Sequence, residues 1–592
     1  SNVSEDSDTE PPLSRKDQKA LEREIPWREI YNGPKARFQK YVEATRKEVN
    51  AFHKWATVKP VSDARVNEIY RDPQQRRRIL RARNCFRNKN AAKGEHAEEL
   101  AKCRCVLLGC FDPDLTHLER YAPTATTTGF WILLQIYSTG VLDPRGPWLM
   151  ATGDVETAFL QGGPGAERKE PLYMAPPRDP IAIAAGAFAE AKLWEVVGNV
   201  YGLANAPHNF FLVVRDKMVI LGFRSHSLDV CLYLFFSTVP SAIENDLKSG
   251  LPLVLIGQTL LLEAAVLFHV DDMLAAFSPS FNHKDLYDAF SWGDPWEWSP
   301  KSLKWNGYEL EFDDQLRVKV HQTTFTTGTT VRKVPSTARE DHALQKGPEM
   351  TEFKSCGGSL NWLAGKTRVD IAAGASLYQK GSPTLEDLRG LYKLVAYAQS
   401  TKDAGIVLNP VPWCQMIIVD ITDSSWANAE ELKSQMGFLV VATTYKALST
   451  GAYGSLLEFK SFRSKRCLRS TLAAEAAAKD AGVDHATFLN AFLSECLTGV
   501  KAKDQEPVFQ HFSVTDCKCL YDAVRQATPS LSEKRTIIDL TATRDSLAKD
   551  HLLWIPTHTM LADGLTKVTP DLMATLTRFM SHCWIDLKGS EG

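Results

Sequence analysis

Apolar runs that stop abruptly on carboxylates pattern this chain. Residues 261–277, LLEAAVLFHVDDMLAAF, drive one apolar run into Asp271 and Asp272 and lead a second one out. Short apolar runs bounded by turn signals predict buried strands, so this stretch predicts a hairpin with two adjacent acids in its turn. In 148–162, WLMATGDVETAFLQG, an apolar lead-in reaches Asp154 at a strand end, and an amphipathic stretch with Ala158, Phe159 and Leu160 follows. Further on, alternation in QMIIVDITDSSW (415–426) delivers Asp423 at a strand end, and FSVTD (512–516) closes another strand on Asp516. Between them RSTLAAEAAAKDAG (469–482) predicts a helix start carrying Glu475, and WIPTHTMLADGLTK (554–567) puts Asp563 on a further helix.

The remaining pattern supplies the surroundings. Residues 1–24 are acidic and polar, and predict a disordered lead. Residues 25–84 predict helix, anchored by Trp27, Tyr31, Phe38, Tyr41 and Phe52, with Pro60 as punctuation. AKCRCVLLGCF (101–111) is a strand flanked by Lys102 and Arg104, and 120–140 is a helix entered through TATTTG. LWEVVGNV (193–200) predicts a strand, YGLANAP (201–207) a turn, and a helix starts near His208. STVPSAIENDLKSG (237–250) predicts a surface loop, KWNGYELEF (304–312) a hairpin, and 331–400 helix. Residues 251–270 have the length of a membrane span. Pro252, Gly257, Gln258, Glu263 and His269 interrupt them, so two strands joined near residues 257–259 are predicted, and no membrane partner.

At 592 residues the chain is too long for one core, and several domains are expected. Its 44% hydrophobic and 24% charged residues are ordinary for globular proteins, and a net charge of -2 leaves any basic surface local. One basic segment runs from Arg71 to Lys93, with nine Lys or Arg and the single acid Asp72; it predicts either a solvated helix face or a phosphate-tracking surface. Twelve cysteines without a CxxC pair or a Cys/His ladder argue against structural zinc and fit a reducing intracellular compartment. The chain opens on Ser1 rather than Met, as expected of a fragment or of a processed piece of a longer chain.

Two unpaired charges at a core's edge cost several kcal/mol each, roughly, unless a cation compensates them. Taken alone, Asp271 and Asp272 read equally as a solvated turn. With Asp154 brought beside them they form an oxygen-rich site for a hard divalent ion, Mg²⁺ or Mn²⁺, of the kind that serves phosphoryl or nucleotidyl transfer.

DVETAFLQG, EPLYMAPP (170–177), YGLANAP and HVDDML (269–274) come in the order found in the reverse transcriptase of copia-type LTR retrotransposons, which the chain resembles. The resemblance implies an α+β and α/β multidomain protein: a right-hand polymerase of fingers, palm and thumb or connection, followed by an RNase H-like domain. It places fingers and palm at 85–330 after a helical extension at 25–84, the thumb or connection at 331–410 and the RNase H-like domain at 411–585. The catalytic, metal-holding residues implied are Asp154, Asp271 and Asp272 for polymerisation. Lys102 and Arg104 match the family's KARLVVLGF segment near the incoming triphosphate; read alone, they are exposed strand cations. Phe159 matches an aromatic gate under the sugar, or is a core aromatic. Asn205, in a turn that is usually YGLKQAP, is the remaining nucleotide-binding position, and His269 stands where the family carries Tyr.

Asp423, Glu475, Asp516 and Asp563 arrive on strand, helix, strand and helix, and their segments resemble the copia-type motifs DADWAG, SSTEAEY, CDNQSA and ADILTK. DSSWAN lacks the second Asp of the first motif. The resemblance implies two ions at each active site. It further implies dNTPs, RNA and DNA template–primer and RNA/DNA hybrid as partners, and a cytoplasmic, particle-associated location with access to the nucleus. His558 reads as a loop histidine or a mobile acid. The alternatives are a domesticated nucleic-acid-binding module and a nuclease with an inactive polymerase half.

Overall fold

The computed structural model describes residues 23–91, 98–162, 168–239, 258–329, 331, 341–526, 533–547 and 551–588. The chain is a mixed α/β multidomain protein that divides into two compact units. The first comprises Ser1–Thr124, Asp154–Gly222 and Asp285–Asp294; the second comprises Ala125–Gly153, Phe223–Lys284 and Pro295–Gly592.

The first unit is a five-stranded sheet in the order Val58–Pro60, Trp194–Val196, Leu172–Ala175, Ile79–Asn88, Ala101–Leu107. The helix Lys35–Lys54 buries Tyr41, Val42, Thr45, Val49 and Phe52 on one stripe, the spacing of an amphipathic helix. Val49 and Phe52 pack with Leu80, Cys105, Leu107 and Trp194. Where the aromatic anchors predict helix as far as residue 84, a strand begins at Ile79. Leu80, Ala82 and Phe86 alternate inward there, and seven residues of the strand pair with Ala101–Leu107. Arg81, Arg83 and Arg87 of the basic segment thus lie on the exposed face of a strand rather than on a helix face. Arg78 is spent on a bidentate pair with Asp114 at 2.9 and 2.5 Å. The turn that opens YGLANAP needs its glycine: Gly202 sits at φ 91°, and a Cβ there would fall 2.0 Å from the Leu107 carbonyl oxygen.

A six-stranded sheet, belonging to the second unit in all but Asp154, runs Glu297–Trp298, Leu149–Asp154, Asp272–Phe277, Leu260–His269, Leu232–Thr238, Arg224–Ser225. The helix Thr127–Gly140, fully buried from Gly129 onward, packs on the strands Leu260–His269 and Asp272–Phe277. Coverage explains the unbroken apolar run: a strand buried on both faces has no polar side to show. Glu263, the acid inside that run, is matched by Arg145 at 2.9 Å and by Ser237 at 2.8 Å. Of the two strands predicted in 251–270, the second is Leu260–His269; the first lies outside the described residues, as do the lead up to residue 22 and the loop beyond Val239. Among the described residues no helix is long and apolar enough to cross a membrane.

The predicted hairpin in 304–312 forms, with Asn306 at φ 44° and Gly307 at φ 81° as its turn. It joins Val318–His321 and Gly405–Leu408 in a four-stranded sheet. The helices Pro348–Ala364 and Leu385–Ser400 follow the predicted helical pattern, the second opening on a Thr384–Asp387 capping box. Arg368 and Asp370 are buried against each other at 2.9 and 2.7 Å.

The C-terminal part of this unit is a five-stranded sheet ordered Ser455–Cys467, Lys433–Thr444, Met416–Ser425, Gln510–Thr515, Leu552–Trp554. The first three strands are antiparallel; Gln510–Thr515 and Leu552–Trp554 run parallel to Met416–Ser425. The helix Thr471–Thr498 lies on this sheet, and Gly482 lets it approach closely, since a Cβ there would fall 2.4 Å from a Thr422 methyl.

Candidate active site: two clusters of carboxylates

The hairpin in the six-stranded sheet pairs His269 with Asp272, leaving Val270 and Asp271 as a two-residue turn. Val270 takes φ 61°, a conformation that strains a β-branched residue by roughly 1–3 kcal/mol and that concentrates at functional sites. Asp154 is the last residue of the neighbouring strand Leu149–Asp154 in the same sheet. Asp154, Asp271 and Asp272 each present a carboxylate oxygen, all within 4.8 Å of one another. Asp154 is exposed and the other two are half-buried. Three anionic oxygens this close repel one another, and a hard divalent cation is the chemistry that fits them.

Around the turn, the Trp305 indole N–H donates to the Asp272 carbonyl at 3.3 Å, and the Trp305 ring stands edge-on to His269. Burial and the Lys366 ammonium hold His269 below the usual imidazole value, opposed by Asp271. Lys366 lies over the rings of Tyr308 and Trp362 at 5.3 and 5.4 Å. Reading motifs singled out neither Trp305 nor Lys366, because their approach depends on strand and helix pairing rather than on local pattern.

In the first unit Lys102 and Arg104 alternate with buried Cys103 and Cys105 on Ala101–Leu107. Burial, then Lys89 and Arg104, keep the Lys102 ammonium below its usual value; Glu48 and Asp154 oppose them. The Arg104 guanidinium lies 4.5 Å above the Tyr201 ring, and Phe159 packs against Tyr201 at 5.8 Å and Phe210 at 6.4 Å. Phe159 is half-buried, so it serves the core and still offers one side. Asn205 is 2% exposed, and its side-chain oxygen is buried without a hydrogen-bond partner. It lines a cavity of about 300 Å³ together with Asn199 and Asn209. Glu48 is another residue the motifs did not reveal. It accepts the Cys105 amide at 2.9 Å, and burial pushes its carboxyl up to about 7, against Cys105, Arg104 and Lys102.

The second cluster lies on the C-terminal sheet. Asp423 is near the end of Met416–Ser425, Glu475 is in the first turn and a half of Thr471–Thr498, and Asp516 follows Gln510–Thr515 directly. Asp563 sits in the 3-10 turn Leu561–Leu565 rather than in the α-helix its segment predicts. Burial pushes Asp423 up to about 7, with Asp563 and Asp516 adding to it and Thr566 and Lys567 opposing. Glu475 is pushed up to about 8, by burial first and then by Asp423, against a bond from Ser424. The Ser424 hydroxyl donates to Glu475 Oε1 at 3.0 Å, while Glu475 Oε2 is buried with no partner. That orphaned oxygen, among acids raised by burial, is what a site built to receive a cation shows. His558 is exposed, in the turn Thr557–Thr559.

Beneath Glu475 the same helix carries Lys479, which is fully buried. Its ammonium donates to Asp420 at 3.2 Å, Ser513 at 2.8 Å and the Val514 carbonyl at 2.6 Å; His511 also meets Asp420, at 2.7 Å. This network ties the Glu475 helix to the strands bearing Asp423 and Asp516.

Sequence similarity over 55% of the chain accompanies this geometry. Two curated relatives in Arabidopsis thaliana are the retrovirus-related Pol polyproteins from transposons RE2, 23% identical over 337 residues, and RE1, 24% identical over 336 residues. The resemblance drawn from the spaced motifs is thereby borne out. Each match covers 55% of this chain and 21% of the relative, so it spans about a fifth of those polyproteins. No family model matches the chain. Among solved structures, a foamy viral protease-reverse transcriptase in complex with dsDNA is 12% identical, covering 77% of this chain and 75% of that one at TM-score 0.38. Telomerase from Candida albicans with a telomeric RNA fragment is 10% identical, covering 62% and 58% at TM-score 0.29. At these TM-scores the structural likenesses add no weight.

Proposed function

We propose that the chain is an RNA-directed DNA polymerase joined to a ribonuclease H, from a copia-type retrotransposon. In this reading the five-stranded sheet of the first unit is the fingers, the six-stranded sheet the palm, the segment 331–410 the thumb or connection, and the C-terminal five-stranded sheet the RNase H-like domain. The observation that carries it is the meeting of Asp154 with Asp271 and Asp272 on neighbouring strands of one sheet. The mixed sheet of the C-terminal part, with one long helix across it and acids at adjoining strand ends, supports the nuclease half.

Asp154, Asp271 and Asp272 would hold Mg²⁺ or Mn²⁺ at the palm, and Asp423, Glu475, Asp516 and Asp563 at the nuclease centre. A divalent ion supplies there a lowered pKa for a bound hydroxyl or water and charge stabilisation at a transferring phosphate. The chain's own residues do the positioning. Lys102 and Arg104 offer a point charge and a planar fork to the triphosphate of a dNTP. Phe159, braced by Tyr201 and Phe210, sets a wall beneath the sugar. The Trp305 bond fixes the turn that carries Asp271 and Asp272. Ser424 and the Lys479 network orient Glu475 toward Asp423. Template–primer and RNA/DNA hybrid are the partners this arrangement serves.

The test is direct. Wild-type protein is expected to extend oligo(dT) on poly(rA) with dTTP and Mg²⁺, and to cut the RNA of a labelled hybrid. Cleavage without extension points to a nuclease with an inactive polymerase half. Hybrid binding without either reaction points to a domesticated binding module, the reading that His269 at the family's Tyr position favours.

A further inference from the structure

The helix that carries Glu475 near its start carries a second buried acid near its end. Glu495 stands in the last turn of Thr471–Thr498 and is 4% exposed. A carboxylate there meets the negative end of the helix dipole, and burial adds the loss of its hydration. The compensation comes from outside the helix. Ser227 donates its amide at 2.6 Å and its hydroxyl as well, and the Ala502 amide donates at 2.8 Å. Beside it the His226 ring stacks on Phe492 at 3.9 Å and donates Nε2–H to the Phe492 carbonyl at 3.0 Å. Its Nδ1 accepts the Leu228 amide at 3.1 Å, so both ring nitrogens are used in the neutral form.

His226 and Ser227 belong to the turn between Arg224–Ser225 and Leu232–Thr238, at the edge of the six-stranded sheet. A second contact reaches the same sheet where the helix ends. Gln258 donates to the Leu497 carbonyl at 2.6 Å, and a Cβ on Gly499 would fall 3.3 Å from Leu260 and from Phe236. Helix and strands all lie in the second unit.

This joint has a long lever on either side. Glu475 lies ~30 Å from Glu495 along the helix, at about 1.5 Å per residue. The strand Leu260–His269, at about 3.3 Å per residue, carries the turn with Asp271 ~30 Å the other way. A tilt of about 10° at the joint therefore moves Glu475 by ~5 Å, more than the ~3.4 Å between successive nucleotides of one strand.

We propose that Glu495 is a positioning residue: by registering the Glu475 helix on the edge of the six-stranded sheet, it fixes where the RNA of a hybrid is cut relative to the primer end. The proposal rests on reading the two acid clusters as polymerase and nuclease centres. Apolar packing is non-directional and tolerates a small tilt. A buried carboxylate held by donors does not, because tilting strands its charge.

Mapping the cut in the full chain tests this. A labelled RNA is paired with a dideoxy-terminated DNA primer, and the next dNTP with Mg²⁺ holds the primer end in the palm. Wild type is expected to give one dominant RNA product at single-nucleotide resolution. Glu495→Leu should lower the dominant product about twofold or more and spread cutting to neighbouring positions, with total cleavage unchanged within about twofold. Glu495→Gln, which keeps an acceptor for Ser227, should restore the dominant product. Ser227→Ala removes one donor and should spread the cut less, in the same sense; it carries the test if circular dichroism shows Glu495→Leu unfolded. An unspread cut in the folded variants, a loss of total cleavage at an unchanged position, or a dispersed wild-type pattern would overturn the proposal. A wild type that fails to extend a primer or to cut would overturn the two-centre reading itself, and the proposal with it.

Discussion

The Asp154–Asp271–Asp272 triad and the C-terminal quartet solve one problem, holding like charges together, in opposite ways. The triad keeps its acids at a strand end and in a hairpin turn, exposed or half-buried, where water screens them. It can therefore bring three carboxylate oxygens within 4.8 Å of one another. The quartet buries Asp423 and Glu475 to 3% and 5% exposure, and there repulsion is far more costly. It spreads the acids, compensates two of them with Lys567 and Thr566, and rests on a second buried charge pair, Lys479 with Asp420. Exposure permits close assembly; burial demands partners.

The sharpest way to break the comparison is to remove one acid from each cluster. Asp271→Asn is expected to lower primer extension on the order of a thousandfold while sparing hybrid cleavage, and Glu475→Gln to do the reverse. A single substitution that removed both activities in folded protein would show that the two clusters are not separate centres. Next in size, Lys479→Met strands Asp420 in the core, and is expected to cost about 3–5 kcal/mol in urea unfolding monitored by tryptophan fluorescence. A loss below about 1 kcal/mol would mean that buried charge does not underpin the quartet.

A smaller effect concerns the buried carboxylate beside Lys102. Burial raises Glu48 to about 7, against an unfolded value of about 4.3. Between these values the folded chain holds a proton that the unfolded chain has lost, so this group's contribution to stability falls as pH rises through that window and is level above it. Glu48→Gln should therefore match wild type at pH 4 and exceed it at pH 8 by on the order of 2 kcal/mol, read from paired thermal melts. Equal pH profiles would refute the assignment. Last, Val270→Gly should relieve the positive φ at the turn before Asp271 and stabilise the protein by about 0.5–1 kcal/mol. A loss of stability instead would show that the Val270 side chain contributes more packing than its backbone stores in strain.

Much of this architecture was legible from pattern. The apolar runs into Asp271 and Asp423, the hairpin in 304–312 and the helices between 341 and 400 all appear where local periodicity predicts them. The strand at Ile79–Asn88 was not legible, because seven arginines and lysines between Arg76 and Lys89 mask the alternation of Leu80, Ala82 and Phe86. Its pairing with Ala101–Leu107 overrides that composition.

Sequence alone determined most of the strands and helices that carry the acids, and that six of the seven acids sit at or near a strand end, a hairpin turn or a helix start, since hydrophobic period and turn chemistry are local properties. Only the tertiary structure decided that Asp154 lies beside a hairpin more than a hundred residues away, that Glu475 is left with an unpaired oxygen, and that Lys567 reaches Asp563 and Asp423. Strand order and helix packing set those approaches, and both depend on hydrogen bonds and burial between distant segments, which no local window contains.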